Sequence, residues 1–117
     1  LELECAASGR GGRVRRCNGG SWLQVSPSRF ELLRLLAEDP SNGQRQALFR
    51  HFKILGPDED REATVQEKNR LAKLACDLSK FLSDPRLLGA KGNRSVRLDK
   101  KADCYTLGPV RVLVRDP

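Results

Sequence analysis

The sequence predicts an α+β domain made of a small antiparallel sheet, three helices and a C-terminal β-hairpin, and three observations in its 117 residues predict it. Residues 1–25 alternate apolar and polar side chains between glycine-rich breaks, the period of short half-buried strands. Residues 26–83 place apolar side chains three and four apart, the period of amphipathic helices. From residue 94 onward the period of two returns.

The first strands are "LELEC" (1–5), "RVRRC" (13–17) and "SWLQV" (21–25), with "SGRGG" as a flexible turn between the first two. "NGG" at Asn18 to Gly20 offers the positive-φ residues of a tight hairpin. Three or four antiparallel strands follow from this pattern, and one face of the sheet must be covered. "VSPSRFELLRLLAEDPS" (25–41) supplies the cover. Ser26 suits an N-cap, and Pro27 fits the first helical position, where its missing N–H costs nothing. Phe30, Leu32, Leu33, Leu35, Leu36 and Ala37 leave only a narrow polar stripe at Glu31, Arg34 and Glu38, so this helix touches both the sheet and other helices.

A short second helix over about 44–52 presents Ala47, Leu48 and Phe52 on one side. After an irregular stretch with Gly56 and Pro57, "TVQE" at Thr64 to Glu67 has capping-box spacing. Leu71, Leu74, Ala75, Leu78, Phe81 and Leu82 then mark a third helix over about 65–83. Beyond it, "SVRLD" and "CYTLG" flank "KKA" as a hairpin, and "PVRVLVRDP" adds one more strand. The organisation is one domain over 1–117: an N-terminal sheet (1–25), a three-helix core (26–83), and a hairpin with an extra strand (94–115). With no Met and a start at Leu1, the sequence reads as a domain of a longer protein.

Composition narrows the function classes. Twenty-two Lys and Arg against fifteen Asp and Glu give a formal charge of +7, which favours a polyanionic partner through counterion release. The cations cluster early, at Arg10, Arg13, Arg15 and Arg16, and late, at Lys91, Arg94, Arg97, Lys100 and Lys101, around an acidic "GPDEDRE" (56–62). No stretch approaches the run of about 18 apolar residues that a membrane span needs, and no signal peptide opens the chain, so a cytoplasmic protein is expected. Cys5, Cys17, Cys76 and Cys104 form no CxxC pair, and His51 is remote from each of them. Buried or half-buried thiols, no metal and no cofactor are expected; a Cys5–Cys17 disulfide stays open for an oxidising compartment. One His and no phosphate-binding glycine loop argue against an enzyme, with the "GPDEDRE" carboxylates read as a solvated loop.

At 100° per residue, Gln66, Asn69, Lys73, Cys76 and Lys80 lie opposite the apolar stripe of the third helix, with Arg70 and Asp77 beside them. Gln and Asn match the adenine edge, Lys and Arg match guanine, and a helix fits the major groove. The candidate DNA-reading residues are therefore Gln66, Asn69, Arg70 and Lys73. Lys80, Arg97, Lys100 and Lys101 are candidates for phosphate contacts.

This order of elements is a winged helix preceded by a small sheet. "VSPSRFELLRLLAEDPS" resembles the first-helix signature of the OmpR/PhoB-type winged-helix effector domains of bacterial response regulators: Val25, Ser26, Pro27, Ser28, Phe30, Leu32, Leu33, Leu35 and Leu36 fall in step with it. "RQALFRHF" (45–52) is similar to the second helix of that family, "DLSKFLSD" (77–84) to the end of its third, and "CYTLG", with Tyr105, to a wing strand. The likeness covers about residues 1–108. Asp77 and Ser79 stand where the family has two arginines, and Phe81 where it has a lysine.

The resemblance implies a transcription regulator that binds double-stranded DNA, with the third helix in the major groove and the hairpin, as wing, on the backbone. It also implies half-site binding as a dimer or tandem, a homodimer then forming through the parent protein, and a contact with RNA polymerase or another protein through the 56–62 loop. The depleted cations of the third helix and the acidic loop sustain an alternative, a winged helix used for protein contact in a larger signalling or assembly protein.

Overall fold

In the computed structural model, all residues are described except Asn18, Pro109, Asp116 and Pro117, with Lys91 and Gly92 described by their backbone alone. The chain runs β1 (Glu2–Cys5), β2 (Gly12–Arg15), β3 (Leu23–Val25), α1 (Pro27–Glu38), α2 (Arg45–His51), α3 (Val65–Leu82), β4 (Val96–Asp99), β5 (Cys104–Leu107) and β6 (Leu113–Arg115). Two 3₁₀ turns, Pro40–Gly43 and Gly89–Gly92, complete it. The architecture is α+β, with three α-helices and two small sheets among the described residues.

The larger sheet has the order β3-β2-β1-β6. Alternation sorts its two faces: Leu23, Val14, Leu3 and Val114 form one cross-strand row on the core side. The other face carries Glu2, Glu4, Arg13, Arg15 and Arg115. Glu2 is only 3% exposed, and a carboxylate so placed needs opposite charge. Arg15 Nε donates to its Oε2 at 2.8 Å, and Arg115 Nε lies 2.6 Å from Oε1 as an ion pair without hydrogen-bond geometry. The hydrogen bond from Arg15 is the main reason the Glu2 carboxyl titrates below its ordinary range. Trp22 lies against the Arg13 and Arg15 guanidinium groups, 4.5 and 4.3 Å from its ring centre.

The strand expected at the C-terminus exists, but it joins this sheet parallel to β1 and makes it mixed rather than purely antiparallel. The tight hairpin expected at Asn18–Gly20 is instead a loop over 16–22. Pairing between β2 and β3 stops at Val14 and Leu23, the Arg16 guanidinium turns to the Leu87 carbonyl, and Trp22 folds back over the arginines. Gly19 does take a positive φ of 84°, while Asn18 lies outside the described residues. The register sets Cys5 opposite Gly12 and Arg15 opposite Glu2, so Cys17, beyond Arg15, sits toward the far end of β1 from Cys5. This separation removes the geometry for a Cys5–Cys17 disulfide. Cys17 and Cys76 are exposed, contrary to the buried or half-buried thiols expected, because one lies in a loop and the other on the outer face of α3.

Helix α1 packs against β2, β6, β5 and α3, the support that its nearly all-round apolar surface predicts. Phe30, Leu32 and Leu33 are each at most 1% exposed, and each such side chain contributes about 1.5–3 kcal/mol through burial. The Phe30 ring sits so close to β2 that a Cβ on Gly12 would lie 2.6 Å from it and 2.2 Å from the Glu4 carbonyl oxygen. Ser26 holds the N-cap position, but its hydroxyl makes no capping bond; its carbonyl starts the helix by accepting from Phe30 N–H at 3.0 Å. The polar stripe closes on itself as Arg34 binds both Glu31 and Glu38.

Helix α2 buries Leu48 and Phe49, leaves Phe52 half-buried and exposes Ala47. Its inward side is therefore Leu48 and Phe49, not the expected Ala47, Leu48 and Phe52. A left-handed Lys53 (φ 58°) ends the helix and lets the N–H groups of Ile54 and Leu55 both bond to the Phe49 carbonyl. Among the described residues, no helix is long and apolar enough to cross a membrane.

Candidate nucleic-acid interface

Helix α3 starts where its sequence predicts. Thr64 Oγ1 accepts from Glu67 N–H at 3.2 Å, and Glu67 Oε1 accepts from Thr64 N–H at 2.9 Å. The Arg61 guanidinium then binds both Glu67 oxygens, at 2.7 and 2.9 Å. With the Arg61 hydrogen bonds the larger cause and the Thr64 N–H the next, the Glu67 carboxyl is held down to about 2. Glu59 also binds Arg61, and Lys68 binds Glu62, so the acidic 56–62 loop is partly neutralised by cations on the loop itself and on α3.

The inward stripe of Leu71, Ala75, Leu78 and Leu82 fixes the helix rotation. Gln66, Asn69, Arg70, Lys73, Cys76 and Lys80 are consequently all exposed. From Gln66 to Lys80 this face runs about 21 Å along the axis. Of the residues at the three departures from the family pattern, Ser79 is buried and Phe81 half-buried at the edge of the inward stripe, while Asp77, half-buried, lies on that face between Gln66 and Arg70. Ser79 has a structural task that its sequence position does not reveal. Its hydroxyl accepts from Val96 N–H at 3.2 Å and approaches Val96 O at 3.5 Å, tying α3 to β4.

Strands β4 and β5 form the second, two-stranded sheet, the expected hairpin. Asp99 Oδ1 accepts from the N–H groups of Lys101 and Ala102 at 3.0 and 3.3 Å, and Asp103 takes a left-handed φ of 52° to close the turn. The far side of β5 is anchored between α1 and α2. Gln44 bridges Cys104, Arg45 N–H donates to Asp103 O at 2.9 Å, and the Arg45 guanidinium lies 2.6 Å from the Asp103 carboxylate. Gly43 permits this approach, since a Cβ there would fall 1.9 Å from the Tyr105 carbonyl oxygen. The tip is therefore held while the Lys100 and Lys101 side chains stand in solvent.

A groove of about 330 Å³ joins helix and hairpin, lined by Cys76 and Lys80 from α3 and by Arg94, Val96, Leu98 and Tyr105 from the hairpin side. The structure thus brings Lys80 beside the hairpin, keeps Gln66, Asn69, Arg70 and Lys73 on the same helix face, and leaves Lys100 and Lys101 at the tip. Arg97 is exposed but turns to a different cleft, its Nε donating to the Arg94 carbonyl at 2.8 Å. Arg94, absent from the sequence-based site, borders both concavities in a left-handed conformation (φ 68°). Its sequence signals are its place in the late cationic cluster and the preceding "GN", which marks a turn. The side chain of Lys91 lies outside the described residues.

Charge pairing is uneven over the molecule. Arg13, Arg15, Arg34, Arg45, Arg61, Arg86 and Arg115 all lie within ion-pair distance of a carboxylate. Among the described residues, Arg70, Lys73, Lys80, Arg94, Arg97, Lys100 and Lys101 have no such partner, and Arg10, Arg16, Arg29, Lys53 and Arg111 also lie apart from any carboxylate. No group of three or more His, Cys, Asp or Glu among the described residues could hold a metal ion. No protein-family model matches the chain, and no curated protein or solved structure shows significant similarity to it.

Proposed function

We propose that the chain is a winged-helix DNA-binding domain of a transcription regulator, similar to the OmpR/PhoB-type effector domains. In this reading α3 enters the major groove and the β4–β5 hairpin lies on the flanking phosphates. Gln66, Asn69, Arg70 and Lys73 meet base edges, while Lys80, Arg97, Lys100 and Lys101 meet the backbone. The observation that carries the reading is the exposed charge on one surface: Arg70, Lys73, Lys80, Arg94, Arg97, Lys100 and Lys101, on α3 and the hairpin with its lead-in, have no carboxylate partner among the described residues, while Arg10, Arg16, Arg29, Lys53 and Arg111 are such cations elsewhere. Unpaired cations can exchange condensed counterions for phosphates without breaking an internal ion pair. The Gln44–Cys104 bridge supports the same fold, because it ties the connection between α1 and α2 to the hairpin.

The test is a titration against a random-sequence duplex pool at two salt concentrations, with the bound fraction sequenced. Enrichment of a motif, together with affinity that falls as salt rises, is the expected result. Absence of binding at low salt would reject the reading.

One observation favours a second reading, a winged helix used for protein contact. Val65 is 72% exposed at the start of α3, beside the carboxylates of the 56–62 loop, where RNA polymerase or another protein could meet an apolar residue with an acidic rim. Alanine substitutions on α3 that spare DNA affinity but abolish capture of a partner would select it.

A further inference from the structure

A cleft of about 860 Å³ opens at the base of the hairpin, between the start of the chain and the segment leading into β6. That volume is in the range of sites that enclose small organic ligands. Leu1, Leu88, Ala90 and Val110 give it an apolar lining, and Arg94, Arg97 and Arg111 stand around it. Among the described residues, no carboxylate lines it. The hydrogen bond from Leu113 N–H to Leu1 O, 2.9 Å, holds the Arg111 wall against the chain start. On the hairpin wall, the bond from Arg97 Nε to the Arg94 carbonyl orients one guanidinium and leaves its terminal N–H groups without a partner among the described residues.

Ser95 adds an independent observation. It lines the same cleft, is 5% exposed, and its hydroxyl has no hydrogen-bond partner among the described residues. Buried hydroxyls are nearly always satisfied, so an orphan one in a cationic cleft marks a donor awaiting an acceptor. Inorganic phosphate would use the guanidinium groups but leave the apolar lining in contact with water. A planar carboxylate matches the guanidinium fork, and an attached hydrocarbon body covers Leu1, Leu88 and Val110.

We propose that this cleft binds a small organic carboxylate with an apolar body, held by Arg97 and Arg111 with the Ser95 hydroxyl as a further donor. The assignment shares Arg97 with the DNA reading, whereas Arg111 and Ser95 lie outside the α3 face and the hairpin tip.

The experiment is an amide-resonance titration of the whole chain with octanoate, with octanol and with inorganic phosphate. Octanoate is expected to produce saturable shifts at Ser95, Val110 and Arg111, with octanol and phosphate far weaker. Arg111→Ala should weaken octanoate by about tenfold, the share of one charge-assisted hydrogen bond. Arg97→Gln should do the same, which covers the case in which the first variant fails to fold. No saturable octanoate shift, equal binding of octanol, or phosphate binding as tight as octanoate would each overturn the proposal. DNA titration of the Arg111→Ala protein keeps the two readings apart: it should bind duplex as the parent does, and a chain that takes octanoate but no DNA would refute only the DNA reading.

Discussion

Removing the Ser79 hydroxyl isolates the link between α3 and the hairpin. Gly108 N–H donates to Ser95 O, so that pair is hydrogen-bonded, and the alternation of an antiparallel ladder makes Val96, one residue on, a non-bonded position. Its N–H and C=O therefore point away from β5, toward α3, where Ser79 Oγ meets both. Ser79 and Val96 are 5% and 8% exposed, so water has little access to a vacated position. Ser79→Ala strands a buried N–H donor, which costs about 1–3 kcal/mol. Most of the loss belongs to that donor, since the contact to Val96 O is long at 3.5 Å. Urea unfolding should show a lower midpoint at unchanged slope, and thermal melting a fall of about 4 °C for each kcal/mol lost. Hydrogen exchange should localise the change to the Val96 amide. A stability change smaller than about 0.5 kcal/mol, the range of an ordinary surface substitution, would refute the reasoning.

Three other perturbations follow from the same geometry. Glu67 has a folded pKa of about 2 against an ordinary 4.5, so the stability it contributes is whole above pH 4.5 and is lost as pH falls toward 2. In Glu67→Gln the urea midpoint should lose that part of its acid dependence, and an unchanged profile would remove Arg61 and the capping box from the account. Gly12→Ala should destabilise by about 1–3 kcal/mol through overpacking, because the new methyl meets the Glu4 carbonyl and the Phe30 ring; a parental melting temperature would count against this contact. Lys100→Ala/Lys101→Ala should keep its circular dichroism spectrum while the slope of log affinity against log salt on duplex DNA falls by about 2; an unchanged slope would take the tip off the phosphates.

How much was legible in the sequence depended on the range of each interaction. Thr64, Glu67 and the stripe from Leu71 to Leu82 set α3 through contacts within three or four residues, and its face of Gln66, Asn69, Arg70, Lys73 and Lys80 could be read from periodicity alone. The hairpin was legible for the same reason, with alternation on both sides of "KKA". Helix α2 was misjudged because Ala47, Leu48 and Phe49 are three consecutive apolar residues in a seven-residue helix, too few to fix a rotation; its N-terminal anchoring to β5 decides which side faces inward. The partner of "RVLVR" was illegible, since alternation tells a strand from a helix but does not say which edge it will join. Ser79 reads as a missing arginine when compared with a family pattern. Only the position of β4 reveals that a small hydroxyl is required there.

The parallel union of β6 with β1 joins the two extremes of the described chain, with Leu3 beside Val114. Such a pairing closes a loop over nearly all of the described chain, so it should form late and release early. While β6 is away, Glu2 keeps its hydrogen bond from Arg15 but lacks the Arg115 ion pair beside its other oxygen. Glu2 thus lies between two guanidinium groups only when β6 is in place. A chain shortened before β6 carries an electrostatic defect in the sheet that supports α1, and through α1 the face of α3.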